Sequence, residues 1–167
     1  MSADYVNIDP ATFTAEPEFP IGTLGSDNGG KDVFEYIRLN ADADTVVAGH
    51  LAVGLDSGFA DGEVTNDNNA AFANRNDPRG FFQAVLTATL RYGWVQCWGR
   101  NRQVIITDQG VSQFQVLYAH VSTTGAVDSQ DDPADAVEVV LGTALETDGD
   151  TSAAQLDVSQ AKITIRR

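Results

Sequence analysis

The sequence has few of the residues that catalytic and covalent chemistry requires. Among its 167 residues are one cysteine, Cys97, and two histidines, His50 and His120. A lone cysteine excludes a disulfide within the chain, and its apolar, aromatic surroundings predict a buried structural thiol. The motifs His-Glu-x-x-His, Gly-x-Ser-x-Gly, Cys-x-x-Cys and Gly-x-x-x-x-Gly-Lys-Ser/Thr are missing. We therefore expect no catalytic residues, metal site or cofactor, and we interpret both histidines as half-exposed polar residues.

Long hydrophobic runs are also missing. No segment approaches the roughly 18 apolar residues of a membrane span, and the start of the chain lacks a basic segment followed by an apolar one. We therefore expect no membrane partner and synthesis in a cytoplasm. Asp148-Gly149-Asp150 resembles part of a calcium loop, but the full Asp-x-Asp-x-Asp-Gly pattern is not met, so a solvated turn is the preferred interpretation.

Positive charge is scarce: ten Lys and Arg residues face 24 Asp and Glu residues, for a net charge of -14. Such a field repels nucleic acid, so no nucleic-acid partner is predicted. The charge is uneven, because residues 75–102 hold five arginines against one acid, whereas residues 128–150 hold eight acids and no base. These acids are interpreted either as solvated loop charges that keep the protein soluble or as a surface that docks on a basic one.

What the chain does contain is the composition of a single folded domain, with 43 % hydrophobic residues. Residues 1–30 have three prolines, no period and no base, which predicts an extended N-terminal arm. Several of its side chains are too apolar to remain in water without cost, so the arm should lie on its own domain or on a neighbouring subunit. These side chains are Tyr5, Val6, Ile8, Phe13, Phe19, Ile21 and Leu24.

From Lys31 onward the hydrophobic pattern alternates with period two. In residues 33–39, Phe34 and Tyr36 share one face, and Ile37 and Leu39 lie on the other, as in a strand. Further strands are predicted at 81–90, 94–98, 103–107, 113–121, 137–145 and 163–166, and a long loop with one short helical turn at 70–74 is predicted at 56–80. The fold class is therefore all-β, a small sandwich or barrel of short antiparallel strands over residues 31–167.

The aromatic segment at 92–99 is the most distinctive local feature. Alternation places Trp94, Gln96 and Trp98 on one face and Val95 and Cys97 on the other. The preferred interpretation is a structural core built from Trp94, Trp98, Val95 and Cys97. The alternative is a platform on which the two indoles stack against a sugar.

Three glycine-containing stretches, at 48–53, at 83–87 with 92–96, and at 141–147, resemble the head decoration or cement proteins of tailed bacteriophages. The resemblance implies a compact β domain, commonly a homotrimer, that binds the major capsid protein with extended arms. It therefore implies a non-enzymatic structural protein on the capsid surface of a virion. The long loop at 56–80 departs from the minimal form of such proteins.

On this hypothesis, the chain stabilises the head by bridging neighbouring capsid subunits. The alternative is a head-fibre, tail or baseplate component, or a glycan-binding domain on the virion surface. The contact residues, to the capsid or between subunits, are expected in the arm, in the long loop and among the central arginines. They are Tyr5, Ile8, Phe13, Phe19, Ile21, Phe72, Arg75, Arg79, Arg100 and Arg102.

Overall fold

The computed structural model describes residues 6–40, 45–54, 63–66, 77–87, 89–106, 111–120, 125–129, 136–145, 147 and 157–165. Within these residues the chain forms strands and a single 3-10 turn at Asn28–Gly30, with no α-helix. The predicted all-β class is confirmed. The strands are β1 Val6–Asn7, β2 Leu24–Asp27, β3 Asp32–Leu39, β4 Leu51–Gly54, β5 Glu63–Thr65, β6 Asp77–Phe82, β7 Tyr92–Ile106, β8 Val116–His120, β9 Val127–Ser129, β10 Ala136–Ala144 and β11 Asp157–Thr164.

Five strands close into a barrel in the order β3, β5, β4, β6 and β7, with β7 returning to β3. All of these pairs are antiparallel except β3 with β5, which is parallel. The barrel interior is a cluster of buried aliphatic and aromatic side chains. Its members are Ile37, Leu39, Val46, Ala52, Val64, Phe82, Leu86 and Val95.

A second ring shares β7 with the barrel. It runs from β7 through β11, β10, β8 and β9 and returns to β7 through one parallel pair, Ile106 with Val127. This ring has its own core, which includes Val104, Ile106, Leu117, Leu141 and Ile163. Strand β7 is 15 residues long, so it reaches through both rings and holds their separate cores in one rigid unit.

The alternation predicted in β3 is present in the structure. Ile37 and Leu39 point into the barrel, whereas Phe34 and Tyr36 lie on the outer face in a cluster with Trp94. An outer face with such large apolar groups requires a cover, and the N-terminal arm supplies it.

The arm lies on its own chain. β2 pairs antiparallel with β3, and β1 adds to β2 in parallel. The ring of Phe19 packs against Tyr36 and Trp94, with centroid separations of 5.4 and 5.3 Å. The backbone N–H of Glu18 donates to the Tyr36 hydroxyl at 3.0 Å. These contacts settle which of the two expected positions residues 6–30 occupy.

Glycines at two positions allow close packing of the arm. A Cβ on Gly93 would collide with the ring of Phe13, where the arm meets the barrel, and a Cβ on Gly25 would lie 2.7 Å from the Ile8 side chain, where two parts of the arm meet. The side chains of Phe13 and Ile8 therefore occupy the space that larger residues would fill. Phe13, Ile8, Phe19 and Ile21 are partly buried against the protein's own clusters, so their apolar character does not require a partner.

Some strand boundaries differ from those predicted. The segments predicted at 94–98 and 103–107 belong to one strand, because the pairing of β7 with β11 continues through both. Gly99 lies between them with φ 108 and bends the strand without ending it. The strand predicted at 81–90 ends at Phe82, and the loop predicted at 56–80 contains β5 and the start of β6. The helical turn predicted at 70–74 lies outside the described residues.

Candidate binding cleft

The buried histidine is structural. His50 is 8 % exposed, which corrects the interpretation of a half-exposed residue. Its Nδ1 lies 3.0 Å from the Asn66 amide nitrogen, and its ring packs on Gly125, where a Cβ would come within 2.5 Å of the ring. The His50 imidazole is therefore packed between the two rings of strands, in contact with both Gly125 and Asn66. The side chain of His120 lies outside the described residues, and the described part of the chain has no cluster of three or more His, Cys, Asp or Glu residues able to hold a metal.

A surface cleft of about 580 Å³ lies beside the middle of β7. Its walls come from four places: the start of β3, the bend in β7, the turn that precedes β8 and the residue that follows β10. This volume falls within the range of about 300–1,000 Å³ that is usual for ligand pockets. The side chains that line it are Lys31, Asp32, Trp98, Arg100, Gln113, Phe114 and Leu145, together with Gly99.

Trp98 forms one aromatic wall of the cleft. It is 44 % exposed, whereas Trp94 is 3 % exposed, so the prediction that both indoles belong to the core is wrong for Trp98. The arm explains the difference, because Phe19 and Tyr36 cover Trp94, whereas Trp98 lies beyond a shift in register between β3 and β7. Val95 is fully buried, as predicted. Cys97 is half-buried, and its thiol donates to the Val33 carbonyl.

Phe114 is the second aromatic residue that lines the cleft. It is 70 % exposed and adopts φ 71, the left-handed region that a residue with a Cβ rarely enters. The turn around it is fixed by hydrogen bonds, because the Phe114 N–H donates to the Ala144 carbonyl at 2.9 Å. The Gln113 N–H donates to the Thr147 hydroxyl at 3.0 Å, and the Gln113 side-chain amide donates to the Leu145 carbonyl at 2.9 Å.

An exposed phenylalanine in a strained conformation has no evident value for stability. A left-handed residue with a Cβ costs about 1–2 kcal/mol, and such strain concentrates at functional sites. Trp98 and Phe114 on one cleft are therefore the strongest structural indication of a binding surface in the described part of the chain.

The positive charges of the cleft are Lys31 and Arg100, both exposed. The neighbouring carboxylate belongs to Asp32, whose Oδ1 accepts a hydrogen bond from the Arg100 backbone N–H at 3.0 Å. That bond fixes the bend at Gly99, where a Cβ would collide with Asp32. Asp32 thus has a structural role at the bend, and Lys31 and Arg100 line the same cleft.

The other predicted contact residues lie elsewhere or outside the described residues. The Arg79 guanidinium pairs with Glu35 at 3.2 Å and with Asp77 at 2.8 Å, so it serves an internal ion-pair network. Of the two predicted arginines whose side chains the structure describes, Arg79 and Arg100, the cleft contains Arg100. Tyr5, Phe72 and Arg75, and the side chain of Arg102, lie outside what the structure describes.

Sequence reasoning missed Phe114, Lys31 and Gln113. Residues 113–121 were predicted as one strand, but β8 starts only at Val116. The local pattern does not distinguish Phe114 from a strand residue, because Gln113, Phe114, Gln115 and Val116 continue the polar and apolar alternation of the strand that follows. Nothing in the sequence marks its positive φ.

The strain at Phe114 leads to a testable prediction. Phe114→Gly should be more stable than Phe114→Ala by about 1 kcal/mol, because alanine keeps the left-handed penalty and glycine removes it. Both variants lose the same exposed ring, so the difference between their free energies of unfolding reports the backbone strain at residue 114 alone. Urea unfolding of the two variants measures it, and equal midpoints would show that residue 114 is not held in this conformation.

Comparison with known proteins gives no relative: no family model matches the sequence, and no curated protein matches it significantly. Among the described residues, no helix has the length and apolar character needed to cross a membrane.

Proposed function

We propose that this protein is a structural component of a virus particle that binds the outside of the capsid and bridges neighbouring major capsid subunits. The observation that carries the proposal is the pair of exposed aromatic side chains, Trp98 and Phe114, on one cleft. Aromatic residues in a solvent-facing cleft are typical of the hot spots at which proteins bind one another.

The rest of the fold suits a binding role. The cleft is built where β7 passes from one ring to the other, so its walls rest on two packed cores. A rigid site loses little conformational freedom when it binds. If many copies bind at symmetry-related positions on one particle, their individually modest contacts act together and give strong overall attachment by avidity.

Self-association is the second part of the proposal, and the resemblance to cement proteins favours a trimer at a threefold axis of the capsid. Since Ile8, Phe13, Phe19 and Ile21 of the arm pack on the protein's own clusters, the trimer contact should use other surfaces. The exposed apolar residues outside the cleft include Val85, at 56 %, and Leu90, at 41 %.

The proposal is tested by mixing the purified protein with capsids of the particle whose genome encodes it and sedimenting them together. We expect saturable binding, with copies that scale with the number of capsid subunits, and a solution mass above the 17.8 kDa of one chain. Quantitative mass spectrometry of purified particles gives the copy number. Absence of the protein from particles, or only a few copies at one vertex, would contradict the proposal.

A glycan-binding domain on the virion surface is the second candidate function. It is favoured by the same two aromatic rings, which offer stacking faces beside Gln113 and Asp32. Binding on a glycan array that Trp98→Ala abolishes, together with low copy number on the particle, would establish it in place of the capsid-bridging role.

A further inference from the structure

The cleft carries positive charge on a strongly acidic protein. The chain has a net charge of -14, yet two exposed cations, Lys31 and Arg100, flank the aromatic walls. Within the described part of the chain, no acidic side chain pairs with Lys31. Lys31 and Arg100 outnumber the one carboxylate, Asp32, among the side chains that line the cleft, and screening in physiological salt limits the reach of more distant charges to about 8 Å. The cleft therefore presents a local excess of positive charge although the whole protein is acidic.

Two polar side chains of the cleft are engaged by the backbone. Asp32 Oδ1 accepts from the Arg100 N–H, and the Gln113 amide nitrogen donates to the Leu145 carbonyl. A sugar needs many side-chain donors and acceptors for its hydroxyls, and these two bonds reduce the number that the cleft offers. The Lys31 ammonium and the exposed aromatic faces of Trp98 and Phe114 favour a ligand that combines a carboxylate with apolar groups.

We propose that the cleft binds an acidic peptide segment of a partner protein, with carboxylates on Lys31 and Arg100 and an apolar side chain between Trp98 and Phe114. This inference rests on the proposed function and names the chemistry of its partner. The cleft is open and bounded by separate strands and a turn, so an extended segment passes along it. Charge-assisted hydrogen bonds to the cations set the orientation, and burial of the aromatic faces supplies affinity.

The two tryptophans make a direct assay available. In a chain labelled with ¹⁵N, the indole N–H of Trp98 reports on the cleft, while that of Trp94, 3 % exposed under the arm, is an internal control. Trp98→Phe assigns the two signals. The probe is an end-blocked hexapeptide of alternating aspartate and phenylalanine, and the comparison peptides replace either aspartate with lysine or phenylalanine with serine.

We expect the aspartate–phenylalanine peptide to shift the Trp98 signal saturably and to leave the Trp94 signal in place. Both comparison peptides should bind at least about tenfold more weakly, because each lacks one of the two interactions. Raising the salt concentration from about 0.05 to 0.5 M should weaken binding of the acidic peptide by screening the charges. Equal binding of the lysine peptide, or no shift at Trp98, would overturn the inference.

Variants identify the side chains that bind. The double variant Lys31→Gln with Arg100→Gln, and separately Phe114→Gly, should each weaken peptide binding by roughly tenfold or more. Phe114→Gly relieves backbone strain, so loss of binding in that variant does not reflect unfolding. Val140→Ser is the matched control, because Val140 is an apolar residue, 49 % exposed, that does not line the cleft, and this variant should bind as the unmodified protein does.

Capsid binding by the same variants separates this inference from the function on which it rests. If the double variant loses the peptide but decorates capsids fully, the inference about the partner is wrong and the capsid role stands. If the unmodified protein binds the acidic peptide but no capsid, the capsid role fails and the cleft assignment stands. Tighter binding of tetragalacturonate than of the peptide would overturn the peptide assignment in favour of an acidic glycan.

Discussion

Arg79→Met should lower the free energy of unfolding by about 3 kcal/mol or more, because it removes the cation paired with the buried Glu35 carboxylate, and breaking a buried ion pair is strongly destabilising. Glu35 is 0 % exposed, and its Oε1 lies 3.2 Å from the Arg79 guanidinium. The carboxylate belongs to β3, where barrel strands and the arm meet. Thermal and denaturant unfolding measure the loss.

Two further variants test the reason for this loss. Asp77→Asn removes the other carboxylate that pairs with Arg79, but its side chain is 59 % exposed, so the loss should stay below about 1 kcal/mol. Glu35→Met added to Arg79→Met should restore much of the stability, since replacing both members of a buried pair with apolar groups is often neutral. If the double variant is no more stable than Arg79→Met, the cost has another origin.

Gly80→Ala should also destabilise the protein by about 3 kcal/mol, at the upper end of the cost of overpacking. A Cβ at this position would lie 2.6 Å from the backbone oxygen of Gln96 and 2.8 Å from its carbonyl carbon. Those atoms belong to β7, and the adjacent pairs Phe81–Gln96 and Phe82–Val95 connect β6 to β7 in the barrel. The backbone itself must move, so the loss appears in the stability of the whole barrel.

Gly54→Ala is the matched control on the neighbouring strand β4. There the new Cβ would meet Arg79 Nε at 3.0 Å and an Asp77 side-chain oxygen at 3.2 Å, and these side-chain ends can shift, whereas the nearest backbone atom, the Asp77 carbonyl oxygen, lies at 3.3 Å. We expect a loss of about 1 kcal/mol, at the low end of overpacking costs. Similar unfolding midpoints for Gly54→Ala and Gly80→Ala would mean that β6 and β7 are not packed as closely as the structure shows.

Much of the fold is readable from the sequence because strands have a simple period. The faces of β3 follow directly from the alternation of Phe34, Tyr36, Ile37 and Leu39, and β10 nearly coincides with the predicted segment 137–145. The long β7 was harder to predict. Gly99 is a normal signal for the end of a strand, and only the partner strand β11 shows that pairing continues through it.

The candidate cleft was less accessible to prediction than the fold. Alternation places Trp94 and Trp98 on the same face, but it does not show where the covering arm ends, and that end decides which indole is exposed. Arg100 was predicted as a contact residue for its charge, whereas Lys31 and Phe114 lie more than 80 residues apart in the sequence. Non-local pairing creates the cleft, so local patterns do not reveal it.

Electron cryo-microscopy of the intact particle tests the central claim most directly, because it locates the protein and shows which face makes contact. The account predicts many symmetry-related copies on the outer surface, with Trp98 and Phe114 buried against an acidic segment of the major capsid protein. Particles without the protein, or copies whose cleft faces solvent, would contradict it.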